Sequence, residues 1–183
     1  MGASIHYKLG NIKNLKEGIE ILKKFKARID SLSVEEMTDI IVVEDVKNPG
    51  NDFDEDQLAY LAIETSVWIG YRHFEAIGFA VFWVTPTDEK ASISFGFSVY
   101  PRNLKYIDTN LTNLYWDGHC KTDGNTKHHL LVIAMLDIAQ EMGFLLWVGD
   151  ETGFWKGRNL NVLNIGIDRV LLKEETIDFI NKL

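Results

Sequence analysis

The residue types that could do chemistry concentrate in the stretch 119–151. A predicted strand ends there, a short Gly-containing loop follows, a helix begins, and a second strand ends near the far limit. The side chains of interest are His119, Cys120, Lys121, Thr122, His128, His129, Asp150 and Glu151. Strand ends and helix starts are where α/β proteins often gather their sites, so this stretch is the candidate site.

The helix start predicts an anion site. Unpaired N–H groups and a partial positive charge mark the beginning of a helix. Lys121, Thr122 and His129 add a cation and hydrogen-bonding groups beside it. This combination favours a phosphate, a sulfate or a carboxylate as a small anionic ligand. The spacing is not that of a P-loop, and an ordinary capped helix start is the alternative.

The same stretch contains the residue types of nucleophilic and acid–base catalysis. Cys120 could be a nucleophile, with His129 as its base and Asp150 orienting the imidazole. Asp150 and Glu151 could also supply a general acid or base. The alternatives are a buried structural thiol and an acidic pair that forms a turn. These four residues are the catalytic candidates.

The histidines do not predict a metal site. His128 and His129 are neighbours on one helix, so their side chains point about 100° apart. His119 and Asp150 could add ligands if the fold brought them together, but no spacing matches a zinc motif. We predict no metal and no cofactor. We also expect one of the two helical histidines to be buried and hydrogen-bonded and the other to be exposed.

A second candidate surface lies on the predicted strand 91–100. Its bulky side chains point to one face, and its small, mostly hydroxyl-bearing residues point to the other. The small residues are Ser92, Ser94, Gly96 and Ser98. This face could form the floor of a pocket, or it could face water.

The net charge and the acidic segment 47–57 limit the classes of partner that we expect this chain to bind. The charge is -8 at neutral pH, which argues against nucleic acid because phosphate contacts need a basic surface. It permits a basic protein partner, since opposite charges speed encounter. The segment lacks the turn glycine and the closing glutamate of a calcium loop, so we expect a solvated loop.

Hydrophobic periodicity predicts the elements that must position these residues. Two amphipathic helices are predicted at 14–29 and 126–142. The predicted strands cover 3–9, 38–46, 76–84, 91–100, 114–122 and 144–148. The stretch 58–72 is ambiguous and could hold a short helix at 58–62 and a strand at 66–71; a loop covers 101–113, and helical stretches cover 159–165 and 173–182. They predict an α+β fold in a single domain, 1–183, with a mixed or antiparallel sheet and two main helices packed on it.

Several short motifs resemble a family of uncharacterised bacterial proteins. They are Met1-Gly2-x-x-Ile5-His6-Tyr7, the run Cys120-Lys121-Thr122, His129 opening an apolar helix, and Asp150-Glu151-x-Gly153-x-Trp155. The resemblance covers mainly the first thirty or so and the last seventy or so residues. The loop after the Lys-Thr pair is shorter here than in some members. The resemblance implies candidate positions and no activity.

Sequence signals favour a cytoplasmic location and no membrane association. The single cysteine excludes an internal disulfide. The first residues lack the basic region and apolar stretch of a signal peptide. No apolar run approaches the ~20 residues that a bilayer-spanning helix needs.

Two functions from different classes fit these observations. One is a small-molecule or anion-binding domain, with or without catalysis, whose pocket combines the Ser92–Ser98 face with Lys121, His129, Asp150 and Glu151. The other is an acidic, immunity-like or regulatory protein-interaction module without catalytic activity, with a protein partner or a homo-oligomer. Convergence of Lys121, His129 and Asp150 in one cleft would favour the first function. A flat acidic and aromatic patch would favour the second.

Overall fold

The computed structural model describes residues 3–49, 53–69, 71–87, 91–101, 114–122 and 125–164. The strands are β1 (Ser4–Leu9), β2 (Glu36–Met37), β3 (Ile41–Val43), β4 (Val67–Ile69), β5 (Arg72–Phe74), β6 (Gly78–Thr85), β7 (Ile93–Val99), β8 (Leu114–Lys121) and β9 (Leu145–Asp150). The α-helices are α1 (Leu15–Ile29), α2 (Glu55–Thr65), α3 (Thr126–Glu141) and α4 (Phe154–Gly157). The predicted α+β class is therefore confirmed.

Within the described residues, seven strands form an antiparallel sheet, and β4 and β5 form a separate hairpin. The order of the main sheet is β2-β6-β7-β8-β1-β9, with β3 also paired to β6. The register places Ile5 of β1 opposite Cys120 of β8 on one side and Asp150 of β9 on the other. Directly opposed residues share a face of the sheet, so these three side chains form one row.

The predicted helix at 14–29 is confirmed, and it packs on the sheet through one apolar stripe. The Asn14 side chain caps it by accepting the Glu17 N–H at 2.9 Å. The stripe buries Leu22, Phe25 and Ile29, as the helical spacing predicts. The Phe25 ring meets the rings of Phe82 and Phe95 on the sheet and of Phe144, just before β9, edge-on. This aromatic contact fixes α1 against the sheet.

The predicted strand over 38–46 is wrong in its extent. Within this range the structure has only the short strand β3; β2 precedes it, and both strands pair with β6. Between them, the hydroxyl of Thr38 accepts the backbone N–H of Trp83 at 3.0 Å. A side-chain hydroxyl that takes a ladder N–H competes with strand pairing, which accounts for the break.

The acidic segment 47–57 is predicted to be a loop throughout, but its last residues belong to helix α2, which Asp54 starts. Its carboxylate accepts the Gln57 N–H at 2.7 Å, and the Gln57 side chain accepts the Asp54 N–H at 3.1 Å. This reciprocal pair is a capping box. The helical pattern at 58–62 therefore belongs to a longer helix, and the Asp-x-x-Gln signal for its start was present in the sequence.

The remaining predicted elements divide into confirmed and undescribed ones. Strand β6 is covered on both faces as expected, and Gly143 ends the α3 turn with a φ of 81°. Residues 160–164 are helical. Apart from residue 101, the predicted loop over 101–113 lies outside the described residues, as does the helical stretch at 173–182. Among the described helices, none is long and apolar enough to cross a membrane.

Candidate functional site

The first turn of α3 covers the row formed by Cys120, Ile5 and Asp150. Asn125 caps this helix, and its side chain accepts the His128 N–H at 2.9 Å. His128 and His129 are 2% and 0% exposed, so the expectation that one of them would be exposed is wrong. Neighbouring helical side chains diverge by about 100°. Here the direction from α3 to the sheet lies between the side chains of His128 and His129. Both imidazoles therefore enter the core.

His128 contacts the thiol of Cys120. Its Nε2 lies 3.5 Å from the Cys120 Sγ, and its Nδ1 lies 3.1 Å from the Thr87 hydroxyl. Cys120 itself is 2% exposed. A reactive thiol needs access as well as a neighbouring imidazole. The geometry is that of a buried thiol–imidazole contact between β8 and α3.

His129 joins the end of β8 to the end of β9. Its Nδ1 lies 3.1 Å from the Thr122 hydroxyl, and its Nε2 lies 3.4 Å from Asp150 Oδ2. The two side chains of this contact are 0% and 1% exposed. The Thr152 hydroxyl lies 3.5 Å from the same Nε2. These contacts hold the imidazole on both sides.

Asp150 is also held by hydrogen bonds from the turn that follows it. Its Oδ1 accepts the N–H and the hydroxyl of Thr152, both at 2.8 Å, and its Oδ2 accepts the Trp155 N–H at 2.8 Å. Burial alone would raise the pKa of Asp150, but the hydrogen bonds from His129 and this turn outweigh it and bring the pKa to about 2. The carboxylate is therefore ionised at neutral pH and serves as an acceptor.

The predicted triad of Cys120, His129 and Asp150 is divided between two histidines. The structure puts His128 on the thiol and His129 on the carboxylate. Glu151 is exposed, and its Oε2 accepts the Ser4 N–H at 2.8 Å. The catalytic roles of these residues stay predictions.

The predicted anion-binding residues lie on different sides of the sheet. Along β8 the side chains alternate, so Cys120 and Thr122 are buried under α3 while Lys121 is exposed on the other face. Thr122 and His129 hydrogen-bond to each other. Lys121, His129 and Asp150 therefore do not converge in one cleft, and the anion site stays a prediction.

A cleft lies on the other face of the sheet, beneath α2. Two adjoining hollows, of about 570 and 450 Å³, share Tyr60, Trp83 and Ser92, and we call them together the α2 cleft. The more polar hollow is lined by Tyr60, Ile63, Glu64, Ser66, Trp83, Ser92, Ser94, Asp117, Gly118 and His119, and the more apolar one adds Glu36, Thr38, Ile41, Phe53, Gln57, Leu61 and Thr85. The small face of β7 thus forms part of a pocket floor.

Ser94 stands out in this lining. It is 7% exposed, yet it lines the polar hollow. Its backbone oxygen accepts a hydrogen bond from the hydroxyl of Tyr7. Burial raises the pKa of Tyr7 well above its usual range, so the phenol stays protonated and keeps donating. The floor of the cleft is therefore tied to β1.

Aromatic and charged side chains form the walls of the α2 cleft. The Tyr60 and Trp83 rings have centroids 6.1 Å apart. Asp117 forms an ion pair with Lys8 at 3.4 Å, and the His119 ring stacks on that of His6 at 5.9 Å. Sequence reasoning singled out His119 but missed the other walls, because they come from α2, β6 and β8. The capping signal of α2 was the local clue to one of them.

No protein-family model, no curated protein and no solved structure matches this chain. The resemblance to an uncharacterised bacterial family therefore stays a prediction. Within the described part of the chain, no group of three or more His, Cys, Asp or Glu side chains could hold a metal ion.

Proposed function

We propose that the chain is a small-molecule-binding domain whose ligand lies in the α2 cleft. The observation that carries the proposal is the cleft itself, which brings the aromatic side chains of Tyr60 and Trp83 together with the hydroxyl-bearing residues Ser92 and Ser94. A ligand there would bury apolar surface against the rings and could hydrogen-bond to the hydroxyls.

The size and the lining of the cleft support this proposal. Its polar hollow, at about 570 Å³, falls within the range of about 300–1,000 Å³ typical of ligand pockets. It combines apolar and aromatic walls with a few convergent polar groups, which is the usual composition of such pockets. The predicted catalytic residues do not line it, so the proposal is one of binding. A catalytic role stays a prediction.

A blocking substitution tests the proposal. Ser92 is exposed and lies in both hollows, so Ser92→Trp should fill the cleft without disturbing the core. A fragment library screened by thermal shift should yield ligands that stabilise the wild-type protein and Ser98→Ala but lose affinity for Ser92→Trp and Ser94→Ala. Ser98 is the matched control, because it lies on the same face of β7 and does not line the cleft. Ligands that bind all four proteins equally would refute the proposal.

One observation favours the acidic protein-interaction module as a second candidate. Helix α2 exposes Ile63 at 73% and Tyr60 at 53%, close to the half-buried Glu64. Exposed apolar side chains beside acidic ones suit a basic partner with an apolar contact. A lysine-rich amphipathic peptide should then shift the α2 amide signals in NMR spectra, and Ile63→Ser should weaken this binding. Unchanged α2 signals at saturating peptide would remove this candidate.

A further inference from the structure

We propose that the ligand of the α2 cleft carries a cationic nitrogen, as an organic amine or guanidine attached to an apolar body. This inference rests on the proposed function and names the class of its ligand. It differs from the anionic ligand that the α3 start predicts, because the two sites lie on opposite faces of the sheet.

The charges on the cleft walls are acidic. Glu64, Asp117 and Glu36 line the cleft, and the described lining residues include no lysine or arginine. Lys8 offsets the charge of Asp117, since the two form an ion pair. Glu64 is half-buried and makes no ion pair within the described residues, so its negative charge is not balanced there. A ligand cation would balance it.

Glu64 lines the polar hollow beside Tyr60. Burial and then its charge raise the pKa of Tyr60, and its charge also contributes to the raised pKa of Tyr7. Tyr60 stands on the cleft wall, and Tyr7 lies beneath its floor and bonds to Ser94. The Glu64 side chain is half-buried in the lining of this hollow. Coulomb attraction for a cation is stronger at such a partly desolvated position than in bulk water.

The aromatic wall and the Ser94 hydroxyl match the rest of an amine. The rings of Tyr60 and Trp83 stand side by side, and aromatic faces attract ammonium and guanidinium groups. The Ser94 hydroxyl can accept an N–H from the same nitrogen. An apolar body would fill the hollow that Leu61, Phe53 and Ile41 line.

Three probes that share one apolar body test the inference: phenethylamine, phenethyl alcohol and hydrocinnamate. Calorimetric titration of the full chain should give the amine an affinity about fivefold tighter than the alcohol, with the anion weakest. Glu64→Gln should remove the preference for the amine and leave the affinity for the alcohol unchanged. The matched control is Glu55→Gln, which makes the same change on α2 at a residue that does not line the cleft. High salt should also reduce the preference.

The outcomes separate this inference from the proposed function. Equal affinities of the three probes, or tighter binding of the anion, would overturn the cationic ligand and leave the cleft a binding site. Amine binding that survives Ser92→Trp would also overturn it, because the amine would then bind elsewhere. If none of the three binds while library ligands bind in the cleft, the inference is again wrong. If no ligand loses affinity when Ser92→Trp blocks the cleft, the proposed function itself is refuted.

Discussion

The ring of Tyr7 lies across Gly118, its partner on the neighbouring strand. A Cβ added at Gly118 would overlap the Tyr7 ring atoms. The absence of a side chain there lets the Tyr7 hydroxyl pass over β8 and reach the backbone oxygen of Ser94 on β7. The two residues thus connect the buried core to the floor of the α2 cleft.

Gly118→Ala should destabilise the protein and weaken ligand binding in the cleft. The added methyl must displace the Tyr7 ring, and overpacking of this kind costs about 1–3 kcal/mol. Chemical denaturation and a ligand titration would measure the two effects. Gly157→Ala is the control, because an added Cβ there meets nothing within 4 Å. Equal stability of the two variants would mean that Tyr7 does not depend on Gly118.

Asp150→Asn should lower stability at neutral pH by an amount that shrinks in acid. The folded pKa of Asp150 is lowered from 3.8 to about 2, so its contribution is complete above the unfolded pKa. It disappears as the pH falls from about 4 to about 2, because the unfolded state then binds the proton first. The shift corresponds to about 2 kcal/mol.

Urea unfolding of the wild type and Asp150→Asn across this pH range would measure the effect. Glu20→Gln is the control, since Glu20 pairs with Lys23 on the surface, where an ion pair contributes little. A stability difference for Asp150→Asn that does not change with pH would contradict the role of Asp150 as an ionised acceptor.

The thiol of Cys120 should react slowly with Ellman's reagent in the native protein. It is 2% exposed beneath His128, so the reagent can reach it only when the structure opens. The rate should rise steeply with urea towards the unfolding midpoint. The chain has one cysteine, so the readout reports this site alone. Fast labelling in native buffer would instead favour the predicted nucleophile.

Asp54→Ala should loosen helix α2 and lower the affinity of the α2 cleft. The substitution removes the hydrogen bond that the Gln57 N–H donates to the capping carboxylate, a loss of about 1 kcal/mol. Among its described residues, α2 buries only Leu61 and Thr65, so little packing offsets this loss. Hydrogen exchange of the α2 amides should speed up. Asp54→Asn keeps a capping oxygen and should behave like the wild type; equal exchange in both variants would contradict the role of the cap.

The sequence alone determined the features that depend on near neighbours along the chain. The cap of α1 by Asn14, the apolar stripe ending at Ile29 and the glycine turn at Gly143 all follow from contacts within a few residues. The alternation along β7 follows from the period of the strand and correctly separated Ser94 from the core-facing side chains. The same logic failed at 38–46, where the Thr38 hydroxyl bonds to a distant strand.

Only the tertiary structure decided which side chains meet. Cys120 contacts His128 and not the predicted His129, because the register of β8, β1 and β9 sets which end of the row each imidazole reaches. Likewise, Ser94 meets α2 across the sheet. Such contacts join residues far apart in the chain, and strand pairing and helix packing select them. Local backbone preference carries no information about that choice.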